Sequence, residues 1–378
     1  MHCTSVVGTE SSGVKKLQNK FCKALSNAVS FRIPGDSNTL MFNPCCLYNT
    51  YLPYHPTLFK KHRQQFIDAN TEYLPECGKC ALKEKTHGIT YTQRHTFNQQ
   101  IPDDIGDDIY KLEIVLDTTC NAACIQCGED QSSLWRNEYA KRDKNYIHIQ
   151  PESQIDSRIE TIKNDVNIQK VKRWHFWGGE PLLTDTHMKL LTEIEDLSTV
   201  SLNYTTNGSI FPDDDVLELW SKCKDVMIGV SADGIDDRFH YARWPLTWDK
   251  WTRVANRFLT EAPANVRYHV NYCVMPMNAL YTYEIDEWLY KNFSRNKDGT
   301  PITFNFIRSE GTVDAACTPM SLREEVWKRL GEQHIVSGIL RELPVVDYTK
   351  MIEHLDRWDP IRKLNWKETF PDIVRHFK

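Results

Sequence analysis

Residues 112–127 read LEIVLDTTCNAACIQC, an apolar strand-like stretch that runs directly into a loop with three cysteines. Gaps of three and two residues place Cys120, Cys124 and Cys127 on one short loop. A closed structural metal site uses four ligands, whereas three thiolates on one loop suit a cluster that keeps one metal position open. The stretch therefore predicts metal-dependent chemistry at the end of a strand. A structural zinc loop is the alternative.

Short apolar strands alternate with helical segments along the chain after residue 108. The predicted strands are 109–116, 173–177, 200–205, 226–231, 266–274 and 302–307. The predicted helices are 152–166, 184–197, 213–222, 247–261 and 281–293. Repeated strand–helix units predict an α/β fold with parallel strands and helices outside them, either an open sheet or a partial barrel.

The chain has 378 residues, which is enough for more than one structural unit. Residues 1–100 are loop-rich and carry six of the twelve cysteines. A connector rich in Asp, Pro and Gly at residues 99–108 predicts a boundary. We therefore expect an N-terminal cysteine-rich unit at 1–100, a core at 109–310 and a helical C-terminal extension at 311–378.

Composition and charge exclude several classes of function. The net charge of −5 gives no reason to expect a nucleic-acid surface. We find no apolar run that predicts a signal peptide or a membrane span. Twelve clustered cysteines in such a chain predict metal ligands in a reducing compartment rather than a disulfide framework, so we expect a cytoplasmic protein.

Polar motifs follow three more of the predicted strands, at the edge where ligands gather in such folds. They are Gly178-Gly179-Glu180-Pro181, Thr205-Thr206-Asn207-Gly208 and Ser231-Ala232-Asp233-Gly234. The two glycines permit close approach of the backbone to a ligand, and Glu180 offers its carboxylate or its peptide group to an amine. Taken singly, Glu180 is also explained as a first-turn helix charge, and Asn207 and Ser231 as capping or turn residues.

The four motifs in this order, over about residues 109–307, resemble the radical S-adenosylmethionine (radical SAM) superfamily. This resemblance implies a partial (β/α)6 barrel of the TIM type and a [4Fe-4S] cluster that binds S-adenosylmethionine at its open iron. It implies that Cys120, Cys124 and Cys127 ligate the cluster and so carry the catalytic chemistry. One departure is Gln126, because the superfamily usually has an aromatic residue there, against the adenine.

The same resemblance implies how the cofactor is held. Gly178, Gly179 and Glu180 would bind the methionyl amine, and Asn207 and Ser231 would lie near the ribose. Arg243 resembles an arginine that the superfamily often directs at the methionyl carboxylate, although a surface arginine or a salt bridge explains it equally well.

The N-terminal cysteines form a second candidate metal site. Cys77-Gly78-Lys79-Cys80 is a Cys-x-x-Cys pair, and Cys22 with either Cys45 or Cys46 completes a possible tetrathiolate. Zinc suits four thiolates as well as a cluster does, and a redox dithiol is a further alternative. The spacing is similar to the twitch or SPASM modules of radical SAM proteins, which implies one auxiliary iron–sulfur cluster, here before the barrel instead of after it.

The remaining cysteines are expected to be plain thiols: Cys3, Cys223, Cys273 and Cys317. Cys317 follows the last predicted strand, so contact with substrate or a cluster is its alternative role.

The resemblance implies an enzyme that cleaves S-adenosylmethionine reductively and abstracts hydrogen from a substrate through a 5′-deoxyadenosyl radical. It also implies an external one-electron reductant of the flavodoxin or ferredoxin type. We expect a peptide or protein substrate, since relatives with auxiliary modules often modify peptides. The alternatives are a sugar or nucleotide-derived small molecule and, in another class, a non-catalytic zinc-binding protein.

Overall fold

The computed structural model describes residues 21–33, 39–69, 73–143, 145–146 and 154–378 of the chain. The strands in these residues are β1 (Ala28–Arg32), β2 (Met41–Asn43), β3 (Leu52–Pro53), β4 (Lys111–Val115), β5 (Arg173–Phe176), β6 (Ser201–Thr206), β7 (Asp225–Ser231), β8 (Val266–Val274) and β9 (Phe304–Arg308). They form one sheet in the order β3-β2-β1-β4-β5-β6-β7-β8-β9. The predicted α/β class is confirmed.

Strands β4 to β9 run parallel, each beside its neighbour in the sequence. They coincide with the six predicted strands to within about two residues at most of their ends. Successive parallel neighbours joined by helices are the arrangement expected of a partial barrel.

The N-terminal segment extends this sheet, which the sequence did not predict. Strand β1 pairs in parallel with β4, with Ala28 opposite Lys111 and Arg32 opposite Val115. Strands β2 and β3 continue the sheet in antiparallel pairing. The cysteine-rich segment therefore shares main-chain hydrogen bonds with the strand that leads to Cys120.

The α-helices of the described residues surround this sheet. Their bounds are α1 (Lys23–Asn27), α2 (Pro56–Asp68), α3 (Gly78–His87), α4 (Gln93–Gln100), α5 (Ser133–Ala140), α6 (Ile155–Asp165), α7 (Thr186–Leu191), α8 (Asp214–Lys222), α9 (Asp236–Ala242), α10 (Trp248–Thr260), α11 (Thr282–Asn292), α12 (Met320–Leu330), α13 (Ile335–Glu342), α14 (Thr349–Arg362) and α15 (Trp366–Thr369). The five helices predicted between strands correspond to α6, α7, α8, α10 and α11, of which α7 is shorter than expected.

Alternation along each strand gives the sheet two different faces. Residues such as Leu112, Ile114 and Phe176 are buried against the helices and form the core. Their neighbours Glu113 and His175 point to the opposite face and line a cavity of about 1260 Å³. The face of these strands that lines the cavity therefore carries polar side chains, and the opposite face is apolar.

No helix in the described part of the chain is long and apolar enough to cross a membrane.

Candidate active site

The three-cysteine loop follows β4 and is fixed by main-chain hydrogen bonds to the last residue of α9 and to the segment that follows it. Ala123 N donates to Trp244 O at 2.7 Å, and Ile125 N donates to Ala242 O at 2.9 Å. On its other side, the Ser132 hydroxyl donates to Ala122 O at 2.6 Å. These contacts hold the loop at the carboxyl end of the parallel strands, where the sequence predicted it.

The thiols of Cys120, Cys124 and Cys127 are free and line the same cavity. Burial raises the pKa of Cys120 to about 12. The Cys127 thiol donates to Cys124, which lowers the pKa of Cys124 and raises that of Cys127. The structure thus brings the three predicted ligands together and favours a thiolate at Cys124.

The Gly178–Gly179 turn presses directly against this loop. Both glycines have positive φ, +83° and +54°. A Cβ on Gly179 would clash with the backbone of Thr118 and Thr119, coming within 2.8 Å of Thr118 C. Glycine is therefore required here by conformation and by space. Gly179 itself lines the cavity.

The Glu180 carboxylate is directed into the protein and is fully buried. It accepts hydrogen bonds from Asn207 N at 2.6 Å, the Thr206 hydroxyl at 2.7 Å and Leu182 N at 3.1 Å. Burial raises its pKa to about 6. The sequence offered two groups of Glu180 to an amine, the carboxylate and the peptide group. The carboxylate is occupied, because it binds the end of β6 to the turn after β5, so the peptide groups of the turn are the ones that remain available.

Asn207 and Ser231 line the cavity at the ends of β6 and β7. The Asn207 amide donates to Asn121 Oδ1 at 2.9 Å and lies 3.9 Å from Cys120 Sγ. Asn207 therefore links the end of β6 to the cysteine loop in addition to any role toward a ligand.

Arg243 is buried in a salt bridge with Asp233, with Nη2 at 2.7 Å from Oδ2. Its Nη1 lies 3.9 Å from Cys124 Sγ, and its Nε has no hydrogen-bond partner. Asp233 also accepts from the Gln126 amide at 2.8 Å and from Cys273 N at 2.7 Å. Asp233 is a site residue that the sequence analysis quoted in a motif without assigning it a role.

The polar barrel interior adds residues that the sequence analysis did not single out. His175 contacts the Thr205 hydroxyl at 3.1 Å, and His269 contacts Asn271 at 3.1 Å. Asn271 also accepts from the Asn305 amide at 2.7 Å. A one-in-two alternation of polar residues on four strands was the signal that could have identified this interior.

The N-terminal thiols Cys22, Cys45, Cys77 and Cys80 lie close enough to influence one another electrostatically. Burial raises the pKa of Cys22 to about 12, and the thiols of Cys80 and Cys77 raise it further. Burial also raises the pKa of Cys45, as do Cys22 and Cys77. Cys46 is instead disulfide-bonded.

Cys273 lies on the cavity wall. Cys223 is buried and donates to the main-chain carbonyl of Leu219, and Cys317 is buried and donates to that of Asp347. Cys3 lies outside the described residues. Among the described side chains, no group of three or more His, Cys, Asp or Glu residues is arranged as ligands of a single metal ion.

Residues 114–278 match the family model described as "Radical SAM superfamily", so the chain contains a radical SAM domain. The resemblance noted in the sequence is confirmed for that segment. No curated protein matches the chain. A radical SAM domain implies an enzyme that uses a [4Fe-4S] cluster and S-adenosylmethionine.

Solved structures with a similar arrangement have low sequence identity. "Native anSMEcpe with bound AdoMet" is 18% identical with a TM-score of 0.38, and the match covers 63% of each chain. The anSMEcpe structure with bound AdoMet and Cp18Cys peptide is 18% identical with a TM-score of 0.37 over 58% of each chain. SuiB of Streptococcus suis bound to S-adenosylmethionine is 16% identical with a TM-score of 0.35, covering 72% of this chain and 50% of SuiB. The match thus spans about three fifths of the anSMEcpe chains.

The donor groups present fit the two implied cofactors. Three free thiols face one cavity, as a cluster with an open iron requires. The same cavity holds a glycine turn that a side chain would block and an arginine nitrogen without a partner.

Proposed function

We propose that this protein is a radical SAM enzyme that modifies a peptide or protein side chain or backbone. When bound, the cluster and S-adenosylmethionine supply a 5′-deoxyadenosyl radical that removes a hydrogen atom from the substrate. The observation that carries the proposal is the convergence of Cys120, Cys124 and Cys127 on one large cavity at the carboxyl ends of parallel strands.

In this proposal each motif has a binding role that its contacts support. Cys120, Cys124 and Cys127 hold the cluster. The peptide groups of Gly178, Gly179 and Glu180 receive the methionyl amine, because the Glu180 carboxylate is already bound within the protein.

Asn207 and Ser231 hold the ribose. Arg243 binds the methionyl carboxylate through the guanidinium nitrogen that Asp233 does not contact. Asn207 and Ser231 line the cavity, and Nε of Arg243 lacks a partner. Gln126 is tied to Asp233, so the adenine would be bound without the usual aromatic contact at that position.

We propose that Cys22, Cys45, Cys77 and Cys80 hold an auxiliary cluster, of the [4Fe-4S] type. The mutual influence of these thiols supports their proximity, and the disulfide at Cys46 leaves Cys45 as the available member of the pair. Its role would be to accept an electron from the product or to bind substrate. Zinc in this position is the alternative.

The cavity of about 1260 Å³ would hold the proposed cluster and S-adenosylmethionine as well as the substrate, so only part of its volume is left for the substrate. Its lining combines polar and apolar groups, which suits the backbone amides and the side chains of a peptide. A sugar or nucleotide-derived substrate is the alternative. Among the described residues, the preponderance of reduced cysteines over the single disulfide-bonded Cys46 supports a reducing, cytoplasmic location, and the proposed chemistry requires an external one-electron reductant of the flavodoxin or ferredoxin type.

The decisive experiment compares three single-cysteine variants with the wild-type protein after anaerobic reconstitution with iron and sulfide. Iron content, the EPR spectrum of the reduced protein and release of 5′-deoxyadenosine are measured. We expect Cys124→Ala to lose one cluster and all cleavage, and Cys77→Ala to lose a different cluster. Cys223→Ala, a buried thiol bonded to Leu219 O, is the matched control and keeps both.

Colourless wild-type protein with bound zinc and no cleavage would instead establish the non-catalytic alternative. For the substrate, a short peptide encoded beside the gene is incubated with the enzyme, and its mass is measured. A mass change confined to sugars or nucleotides would contradict the peptide proposal.

A further inference from the structure

Arg362, the last residue of α14, is buried among three tryptophans beyond the segment that matches the radical SAM model. Its guanidinium carbon lies 4.2 Å from the centroid of Trp135, 4.9 Å from that of Trp244 and 5.4 Å from that of Trp358. The side chain belongs to a residue that is only 8% exposed. Such stacking holds a guanidinium in a defined place.

Two of these tryptophans are bonded directly to the cysteine loop. Trp135 Nε1 donates to Cys124 O at 2.8 Å, and Trp244 O accepts from Ala123 N at 2.7 Å. Arg362 therefore lies immediately behind the loop, on the side away from the cavity. Movement of its guanidinium would disturb the groups that fix Cys124.

Arg362 has no anionic partner in the part of the chain that the structure describes. Its Nε and Nη2 are buried and make no hydrogen bond. Glu138 is bound to Lys141 and Arg142, and Asp359 accepts from Tyr241 and Trp366. By contrast, Arg243, another buried arginine near the loop, is paired with Asp233.

An unpaired buried cation is costly and calls for a nearby negative charge. Burial lowers the pKa of Arg362 to about 10, so the side chain remains charged at neutral pH, and Cys124 acts in the opposite direction. Glu138 and Asp359 act in the same direction as Cys124 without pairing with Arg362, and thiolates that ligate a cluster on the cysteine loop would add further negative charge near it.

We propose that Arg362 is a positioning residue that sets the reduction potential of the cluster held by Cys120, Cys124 and Cys127. Reduction adds one electron from an external donor and makes the cluster more negative, so a fixed positive charge behind the loop stabilises the reduced state. The inference rests on the proposed function, and it gives the C-terminal extension a part in the chemistry of the barrel.

The test measures the midpoint potential of the loop cluster by dithionite titration followed by EPR. The signal of this cluster is the one that Cys124→Ala removes. We expect Arg362→Gln to make the midpoint potential of this cluster more negative. The ratio of reduced to oxidised cluster at a fixed potential should fall roughly tenfold, which corresponds to about 59 mV for one electron. Arg362→Lys, which keeps the charge, is expected to restore most of the potential.

Arg357→Gln is the matched control, because Arg357 is an exposed arginine of α14 whose guanidinium lies 5.6 Å from the Trp358 ring. It is expected to leave the potential unchanged. An unchanged potential in Arg362→Gln, whatever its thermal stability, would show a purely structural role and overturn the inference.

If Arg362→Gln fails to fold, Arg362→Met replaces it in the titration, because Met also removes the charge. A more negative midpoint potential than in Arg362→Lys would then support the inference, and equal potentials in the two variants would overturn it. Wild-type protein that binds no iron would overturn the proposed function and this inference with it. A wild-type cluster with a normal signal and no response to Arg362→Gln would overturn the inference alone.

Discussion

Gly179 shows how one residue without a side chain joins two motifs that are about 55 positions apart in the sequence. It combines a positive φ with close approach to the backbone of Thr118 and Thr119. Glu180 N then donates to Thr119 O at 2.7 Å. The position of the cysteine loop therefore depends on the glycine turn.

We expect Gly179→Ala to destabilise the fold and to weaken iron binding, because the added methyl group displaces the loop. Gly299→Ala is the matched control, since Gly299 also has a positive φ, +81°, but its Cβ would meet nothing within 4 Å. The free energy of unfolding from urea titration should fall by about 1–3 kcal/mol more for Gly179→Ala. Equal losses in the two variants would show that only backbone strain matters at position 179.

Glu180 is a second residue whose structural role is testable. The Gln side chain of Glu180→Gln replaces one acceptor oxygen with an NH2 group that faces hydrogen-bond donors. We expect a loss of about 1–3 kcal/mol in unfolding free energy, compared with little change for the exposed Glu195→Gln. Stability like that of the wild type in Glu180→Gln would contradict the described bonds.

At the scale of elements, the six parallel strands of the core could be predicted because each is a short apolar run bounded by polar turns. Helices α8 and α10 could be predicted from their periodicity, and both have side-chain caps, from Asp213 and Thr247. The N-terminal strands could not. Strands β2 and β3 have three and two residues, and β1 is recognisable only by its remote partner β4.

Phe31 of β1 tests whether the N-terminal segment and the barrel unfold together. It is fully buried and packs against Tyr54 and Phe59, with ring centroids 5.7 and 5.6 Å away. We expect Phe31→Ala to cost about 3–5 kcal/mol and to lower one common unfolding transition, monitored by fluorescence and circular dichroism. Leu58→Ala on the exposed side of α2 is the control.

A second, separate transition that alone moves in Phe31→Ala would mean that residues 1–100 unfold independently. This result would favour the unit boundary that composition predicted at residues 99–108.

Across the whole molecule, the location of the candidate site could be predicted from the order of the motifs in the sequence. The hydrogen bonds and ion pairs among its side chains could not. The contacts of Asp233 with Arg243, Gln126 and Cys273 depend on the register of three strands and on the path of the cysteine loop. The same holds for the polar cavity wall, because which face of each strand turns inward is set by pairing.

Acid stability is a property of the whole fold to which buried histidines contribute, among them His187 and His354, whose pKa burial also lowers to about 4. His187 is buried beside the Tyr204 hydroxyl, at 2.8 Å, and burial lowers its pKa from 6.5 to about 4 although Asp185 and Asp213 oppose this. Between these values the unfolded chain binds a proton that the folded chain does not. The free energy of unfolding should therefore fall by up to about 3 kcal/mol as the pH drops from about 6.5 to about 4.

Urea titrations across this pH range check the expectation. His187→Gln should reduce the slope by the share of His187 and leave that of His354, whereas the exposed His55→Gln should retain the full slope. An unaltered slope in His187→Gln would assign the acid sensitivity to other groups.

The pairing of β1 with β4 also has a consequence for biosynthesis. Ala28 can pair only after Lys111 has been synthesised, about 80 residues later, which at ordinary elongation rates is a delay on the order of ten seconds. During that interval the early thiols have emerged from the ribosome without the strand against which they settle. Insertion of the proposed auxiliary cluster into the first half of the chain is therefore expected to follow translation of β4, so that nascent chains stalled before residue 111 should contain no iron.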